Sequence, residues 1–327
     1  MRQAARRSAI AFVMAAMGVS SAAPVLAQDF PSRAIHIVVP YPAGGPTDAL
    51  ARILAAEMQR ALGQSVIVEN KAGAAGALGT REVARAMPDG HTLVLGTNQT
   101  HATNAFLLKD PGYDPLRDFA PVAGIADLQH ALVVRKDLAA STVADLIALA
   151  KREPGKLNYG SSGVGSASHL TMALFIARTG TAMTHVPFRG AAPLALEIVA
   201  GRIDAAFATV PGVLGQIEAG EMRALALASE FKAPQLPALT LLKDAGVADS
   251  EGDAWLALFA PAATPGAALA RLEGVVVAAM ARAQVRDGAV KLGLAVNVRD
   301  GRAFTTYLAA EFDKWREVVR VAGVKAD

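Results

Sequence analysis

Short apolar runs with few polar breaks alternate along the chain with longer stretches whose apolar positions recur every three to four residues. Runs of the first kind cover residues 34–39, 66–69, 92–95, 131–135, 157–159, 183–186, 203–208, 223–228 and 255–260, and their spacing predicts strands. The second kind covers residues 49–62, 80–86, 143–151, 169–178, 193–200, 265–283 and 303–322 and predicts helices. Pro88-Asp89-Gly90 and Pro154-Gly155 supply turns between them. A parallel strand pair needs a crossover about the length of a helix, so this alternation predicts an α/β fold with largely parallel sheets. No short internal repeat or low-complexity tract interrupts it.

Two strand–loop–helix units stand apart because their loops lack bulky side chains. In the first, the strand ending at Val39 enters Pro40-Tyr41-Pro42-Ala43-Gly44-Gly45-Pro46-Thr47-Asp48. Gly44 and Gly45 are expected to allow positive φ and close approach to the backbone, and Pro46 suits a first helical turn. In the second, Leu157–Tyr159 leads into Gly160-Ser161-Ser162-Gly163-Val164-Gly165-Ser166-Ala167-Ser168-His169. Each loop is expected to present unpaired backbone N–H groups at a helix N-terminus, with the positive end of the helix dipole behind them, which is an anion site. Their places in separate halves of the chain suggest two lobes facing one cleft.

The N-terminus changes the reading of the charge. Arg2, Arg6 and Arg7 precede an apolar stretch from Ser8 to Ala23, and Val25-Leu26-Ala27 resembles a small-residue cleavage site, so residues 1–27 read as a secretory signal peptide. Cleavage would remove three of the 32 basic residues and no acid, which turns a formal charge of +3 into neutrality. A nucleic-acid partner loses its electrostatic basis, and aromatics at 5% give no stacking platform. The chain has no cysteine, which excludes disulfides, a thiol nucleophile, a cysteine zinc site and a lipid-anchored N-terminal cysteine. Hydrophobic residues at 53% support a sizeable core.

Enzyme motifs fit poorly. Gly73–Thr80 lacks the lysine of a phosphate loop, and Gly163-Val164-Gly165-Ser166-Ala167-Ser168 has serine where a dinucleotide fingerprint has its third glycine. Gly160-Ser161-Ser162-Gly163 has the wrong spacing for a nucleophile elbow. The six histidines, 36, 91, 101, 130, 169 and 185, show no close metal-ligand pairing. Ser162 with His169 and a distant aspartate remains open as a hydrolase triad, against the simpler reading of a serine-rich helix cap. His185, before Pro187, reads as structural. Asp48 in a first helical turn complements the dipole whether or not it meets a ligand.

Taken in order, these motifs resemble the extracytoplasmic solute receptors of tripartite tricarboxylate transporters, the TctC or Bug type. The opening signature is Pro40–Asp48 followed by Ala51-Arg52; the second block is Val68-Glu69-Asn70-Lys71-Ala72-Gly73-Ala74-Ala75-Gly76, and the third is Pro88-Asp89-Gly90-His91-Thr92-Leu93. Leu157–Ser166 with His169-Leu170, then His185-Val186-Pro187-Phe188-Arg189-Gly190 and Gly201-Arg202-Ile203-Asp204, follow in family order. Trp255, Pro261-Ala262-Ala263-Thr264-Pro265 and Lys314-Trp315 with Ala322-Gly323 complete the set. Four places depart from the family pattern: His91 stands for the usual Tyr, Phe188-Arg189 for Tyr-Lys, Lys71-Ala72 for Arg-Pro, and the approach Ser250–Asp253 is unusual.

The resemblance implies a two-lobed periplasmic-binding-protein fold of the Venus-flytrap kind, type II, with a hinge between two mostly parallel sheets. It implies a signal peptide over residues 1–27, one lobe from 28–127 plus 253–327, and a second from 128–252. It also implies a periplasmic receptor, not an enzyme, that takes a small organic acid such as a di- or tricarboxylate and passes it to the membrane subunits of a transporter. No cofactor, metal or nucleic acid is implied, and the expected state is a monomer. The ligand-binding residues it implies are Tyr41, Gly44, Gly45, Thr47 and Asp48 on one lobe and Ser162, Gly163, Ser166 and His169 on the other. Thr97, Asn98 and Asp204 are expected in the walls. A sensor feeding a signalling partner remains an alternative at this level.

Overall fold

The computed structural model describes residues 30–324, so the leader expected over residues 1–27 lies outside the described residues. In chain order the elements are β1 (Ile35–Val39), α1 (Pro46–Leu62), β2 (Val66–Asn70), α2 (Ala77–Ala84), β3 (Thr92–Thr97), α3 (Asn104–Leu107), β4 (Phe119–Leu128) and β5 (His130–Arg135). Then come α4 (Val143–Arg152), β6 (Asn158–Ser161), α5 (Ala167–Thr179), β7 (Thr184–Pro187), α6 (Ala191–Val199), β8 (Ala205–Thr209), α7 (Val210–Glu218) and β9 (Met222–Leu227). β10 (Ala254–Pro261), α8 (Gly266–Ala281), α9 (Ala283–Lys291), β11 (Ala295–Asp300) and α10 (Gly301–Ala322) close the chain. A short turn, Ala74–Gly76, precedes α2, and a π-helical turn, Gln99–Thr103, follows β3.

Two sheets result. The first has six strands in the order β11-β4-β10-β3-β1-β2, and the second has five in the order β7-β6-β8-β5-β9. The blocks β3-β1-β2 and β8-β6-β7 are parallel, as their helical crossovers require. Each sheet therefore has one majority direction, reversed only at β10 and β11 in the first and at β5 in the second.

Each sheet has its own core. Ile35, Ile37 and Val39 of β1 pack with Leu50, Leu54 and Met58 of α1, which fixes the start of that helix against the strand before it. Burying each such side chain contributes about 1.5–3 kcal/mol. In the second unit Leu132 and Val134 of β5 pack with Tyr159, Phe175 and Phe207. The chain passes from the first sheet to the second between β4 and β5 and returns between β9 and β10.

α10 ties the two units together. Its first half puts Phe304 and Leu308 on the first sheet, and its second half puts Trp315, Val318 and Val319 against Leu170 and Leu174 of α5. Glu311, buried between these halves, accepts the indole N–H groups of Trp255 (3.0 Å) and Trp315 (2.9 Å).

Candidate functional site

Parallel strands bring their carboxyl ends to one edge, where ligands of open α/β sheets bind. β1 is the middle strand of one parallel block and β6 the middle strand of the other. Both run directly into the two glycine-bearing loops, and α1 and α5 begin where those loops end.

In the first loop Gly44 adopts φ +88°, a left-handed conformation that a side chain would strain. Gly45, expected to need the same freedom, sits at φ −80° instead, an ordinary value. The backbone therefore imposes no demand for glycine there. The Asp48 carboxylate is buried and fully engaged: Oδ2 accepts from Gly44 N–H (2.9 Å) and Arg52 Nε (3.1 Å), and Oδ1 accepts from Asn70 Nδ2 (3.0 Å). The Arg52 hydrogen bond foremost holds this carboxyl below its ordinary range. The side chain of Asp48 thus shapes the loop and has nothing left for a ligand, while the N–H groups of Gly45, Thr47 and Asp48 meet no acceptor among the described residues.

Tyr41 links this loop to the end of β3. Its hydroxyl lies 2.6 Å from Thr97 Oγ1 and donates to Gln99 Oε1 at 3.3 Å, and burial pushes its phenol up. Asn98, next along, is buried, and its Nδ2 has no partner.

In the second loop Gly163 takes φ +143° and Gly165 φ +74°. Ser166 caps α5 by accepting the His169 N–H (3.3 Å) and donates to Gly163 O (2.7 Å). Ser162 N–H donates to Ser168 Oγ (2.9 Å), and Gly165 N–H donates to His169 Nδ1 (3.1 Å). The Ala167 and Ser168 N–H groups at the start of α5 meet no acceptor among the described residues. This loop also reaches the first unit, because a β-carbon on Gly165 would lie 2.5 Å from Leu107 Cδ1 of α3.

The remaining expectations divide. Asp204 lies at the amino ends of β6 and β8, the edge opposite the loop, where its carboxylate accepts from Arg135 Nε (2.8 Å) and Asn158 N–H (2.8 Å). That placement removes it from the site. The triad alternative has no geometry either: Ser162 Oγ pairs with Ser168 Oγ at 3.0 Å, while His169 holds Gly165. Ser161 does meet a histidine, His185 Nε2 at 2.7 Å, but its residue is fully buried and offers no exposed nucleophile. A cavity of about 350 Å³ between α5 and α10 is lined by Arg178, Asp249, Glu251 and Lys314 and touches neither loop. Among the described residues no group of three acids or histidines is arranged to hold a metal.

Two features escaped the sequence reading. Ala74 and Ala75 are left-handed at φ +47° and +53°, at about 1–2 kcal/mol each, and Asn104 Nδ2 donates to Ala75 O (3.0 Å). The alanine string between Gly73 and Gly76 was the available signal. The other is the His185 ring, stacked on His169 with centroids 3.8 Å apart. Nothing local in sequence marks it, because the two come from separate elements.

The chain matches the family described as tripartite tricarboxylate transporter family receptor over residues 50–324, a stretch that begins just past the first loop and contains the second. It is 33% identical to the protein BugT of Bordetella pertussis over 93% of this chain and 94% of that one. The Rhodopseudomonas palustris protein Rpa4515, solved with adipate, superposes with a TM-score of 0.81 at 34% identity, covering 91% of this chain and all (100%) of that one. MatC from the same organism, solved with bound malate, gives 0.77 at 32% identity over 89% of this chain and 100% of that one. With both glycine loops set at the carboxyl ends of parallel blocks and this breadth of similarity, the chain belongs to the TctC family of tripartite tricarboxylate transporter receptors.

Proposed function

We propose that the protein captures a small dicarboxylate between the two loops and delivers it, without chemical change, to the membrane subunits of a tripartite transporter. The observation that carries this is the set of bare amides: Gly45, Thr47 and Asp48 at the start of α1, and Ala167 and Ser168 at the start of α5. Neither loop contains a lysine or arginine, so negative charge is met chiefly by amides and helix dipoles. Hydrogen bonds to a charged group contribute about 1.5–3 kcal/mol each, so a few of them sustain micromolar binding, which needs about 8 kcal/mol. Structural relatives solved with adipate and malate support the ligand class.

In this reading Thr47, Ser162, Gly163, Ser166 and His169 border the ligand, Tyr41, Thr97 and Asn98 form its wall, and Gly44 shapes the loop. The lobes divide as 28–127 plus 253–327 and 128–252, a division supported by the strand membership of the two sheets. A ligand touching both loops favours the closed arrangement by its differential contacts. The mature protein begins near Gln28 after export to the periplasm and works as a monomer.

Calorimetry with adipate and malate, set against adipamide and malamide, tests the site. The acids are expected to bind without turnover and the amides at least a hundredfold more weakly. Equal binding of acid and amide would sink the helix-end carboxylate site.

A further inference from the structure

We propose that His185 of β7 is a positioning residue for ligand capture: it holds the His169 ring so that Nε2–H faces an incoming carboxylate, and it takes up the proton that capture draws in. The inference rests on the carboxylate-receptor reading of the two loops.

The tautomer follows from the loop. A backbone N–H can only donate, so the bond from Gly165 N–H to His169 Nδ1 (3.1 Å) requires a lone pair on Nδ1. The neutral ring therefore carries its hydrogen on Nε2, which makes no hydrogen bond to another described residue. That leaves one side-chain donor on the ligand-facing helix end.

His185 is joined to both halves of the same loop. Its ring lies flat on His169, with centroids 3.8 Å apart and planes 11° off parallel, and Tyr159 of β6 stacks with it at 4.8 Å. Its Nε2 is 2.7 Å from Ser161 Oγ, which in turn accepts from Gly163 N–H (3.3 Å) and donates to Gly163 O (3.1 Å). Removing His185 would free the His169 ring on one face and release the Ser161–Gly163 turn.

The same geometry decides where a proton goes. Protonating His169 at Nδ1 would set two N–H groups against each other at Gly165. Protonating His185 costs no bond, because Ser161 Oγ accepts from Nε2–H while donating to Gly163 O. The titratable groups facing His185 are Tyr159 from β6 and His169 from α5, and neither supplies a negative charge. Burial foremost, with the neighbouring His185, holds His169 down to about 4, and burial holds His185 below its ordinary value. A bound carboxylate is the charge this stack lacks, and an opposite charge within about 4–6 Å raises a histidine by 1–3 pH units. Between the free and bound values the complex binds more protons than the free protein, so affinity rises as pH falls through that window and is flat above it.

The test uses His185→Phe, which keeps a stacked ring without a proton site, and His185→Gln, which can still bond Ser161. Adipate and malate are titrated at pH 6 and pH 7.5 in buffers of different ionisation heat, with the acids' own ionisation subtracted. Nitrogen chemical shifts of His169 are read in the ligand-free proteins. The wild type is expected to take up a fraction of a proton on binding and to show one Nε2–H tautomer. His185→Phe is expected to bind about tenfold more weakly, with no proton uptake and a mixed His169 tautomer. His185→Gln is expected to recover part of the affinity without the uptake. Wild-type affinity and pH profile in His185→Phe would overturn the inference. If the wild type binds neither acid, the carboxylate reading fails on its own, and an unchanged His169 tautomer in His185→Phe then overturns the positioning role as well.

Discussion

Replacing Gly45 by alanine separates the needs of the fold from the needs of the ligand. Gly45 sits at φ −80°, where any residue is at ease, and a β-carbon there would meet only Pro42 O at 4.0 Å. Two small terms then offset in the folded protein. Alanine gives up glycine's preference for the helix N-cap, about 0.5–1 kcal/mol, and restricts the unfolded chain, which returns about 0.4–1 kcal/mol. Stability should stay within about 0.5 kcal/mol of wild type. Binding should not, because the new methyl group stands beside an N–H that must come within about 2.7–3.2 Å of a carboxylate oxygen. Loss of one such bond to a charged group removes about 1.5–3 kcal/mol, a 10–150-fold drop in affinity. Gly44→Ala should behave in the opposite sense. Its φ of +88° costs a side chain about 1–2 kcal/mol, while its N–H is already spent on Asp48, so stability falls more and direct contact is lost less. Thermal unfolding and calorimetry with adipate on both variants decide this. A Gly45→Ala protein that melts with the wild type and binds adipate equally well refutes the amide grip, and one that melts far lower refutes the backbone argument.

Asp48→Asn should cost about 1–3 kcal/mol at pH 7 by weakening the bonds to Gly44, Arg52 and Asn70. Since this carboxyl is held low in the folded protein, its contribution is complete above the ordinary carboxylate range and is lost as pH falls through the folded value; the gap between variant and wild type in denaturant titrations should therefore close only below the ordinary carboxylate range, and a gap that persists through full protonation would count against it. Asp127, at the crossover out of β4, is pushed up to about 6 by burial, so the folded state binds more protons than the unfolded state between about pH 4 and pH 6 and loses stability as pH rises through that range. Asp127→Asn should accordingly gain about 1–3 kcal/mol on wild type between pH 4.5 and pH 7.5, and a pH-independent difference would refute the cause. Glu311→Ala orphans two buried indole N–H groups and should cost about 2–5 kcal/mol and speed proteolysis of α10, whereas wild-type resistance would show that the helix is held by its apolar face alone.

The alternation of strand and helix was legible in the sequence because interior strands of the first sheet are dense in apolar residues, β-branched in Ile35–Val39 and aliphatic or aromatic in Ala254–Pro261. β4 was not, since Pro121 and Gly124 sit inside it. Its irregular register with β10 and β11 absorbs the proline, and Phe304 fills the space where a β-carbon on Gly124 would stand. The long helix expected over residues 265–283 ends at Ala281, and α9 and the edge strand β11 follow where Gly293 and the polar Asn297 and Arg299 blur both periods. Of the site, the two glycine loops were readable because small residues at a strand–helix junction have few other uses. The fates of Asp48, Asp204 and His185 were not, because each is decided by a partner distant in sequence or by which end of a strand the residue occupies: Asn70, Arg135 and Ser161 respectively.

The position of Asp48 resolves an apparent conflict in the chemistry. A carboxylate one turn inside the helix that is to hold an anion should repel it, and two charges at about 4 Å in a site near the surface oppose each other by several kcal/mol. Here the acid is satisfied from three sides, by Arg52, Asn70 and Gly44, and the Arg52 guanidinium cancels its charge locally. What the pair leaves behind is geometry: Gly44 is pulled back toward the helix, and the amides of Gly45, Thr47 and Asp48 stay bare. α5 reaches the same end with neutral groups, where Ser166 and Ser168 take up the loop and leave the amides of Ala167 and Ser168. Both helix starts therefore offer partial positive charge without a lysine or arginine in either loop, and in the proposed role the one charge that answers the ligand is the proton taken up with it, which leaves again on release. For the proposed delivery role such a grip would discriminate acid from amide while depending on both helix ends meeting the ligand together, so that opening a cleft between them would remove about half the hydrogen bonds in a single step.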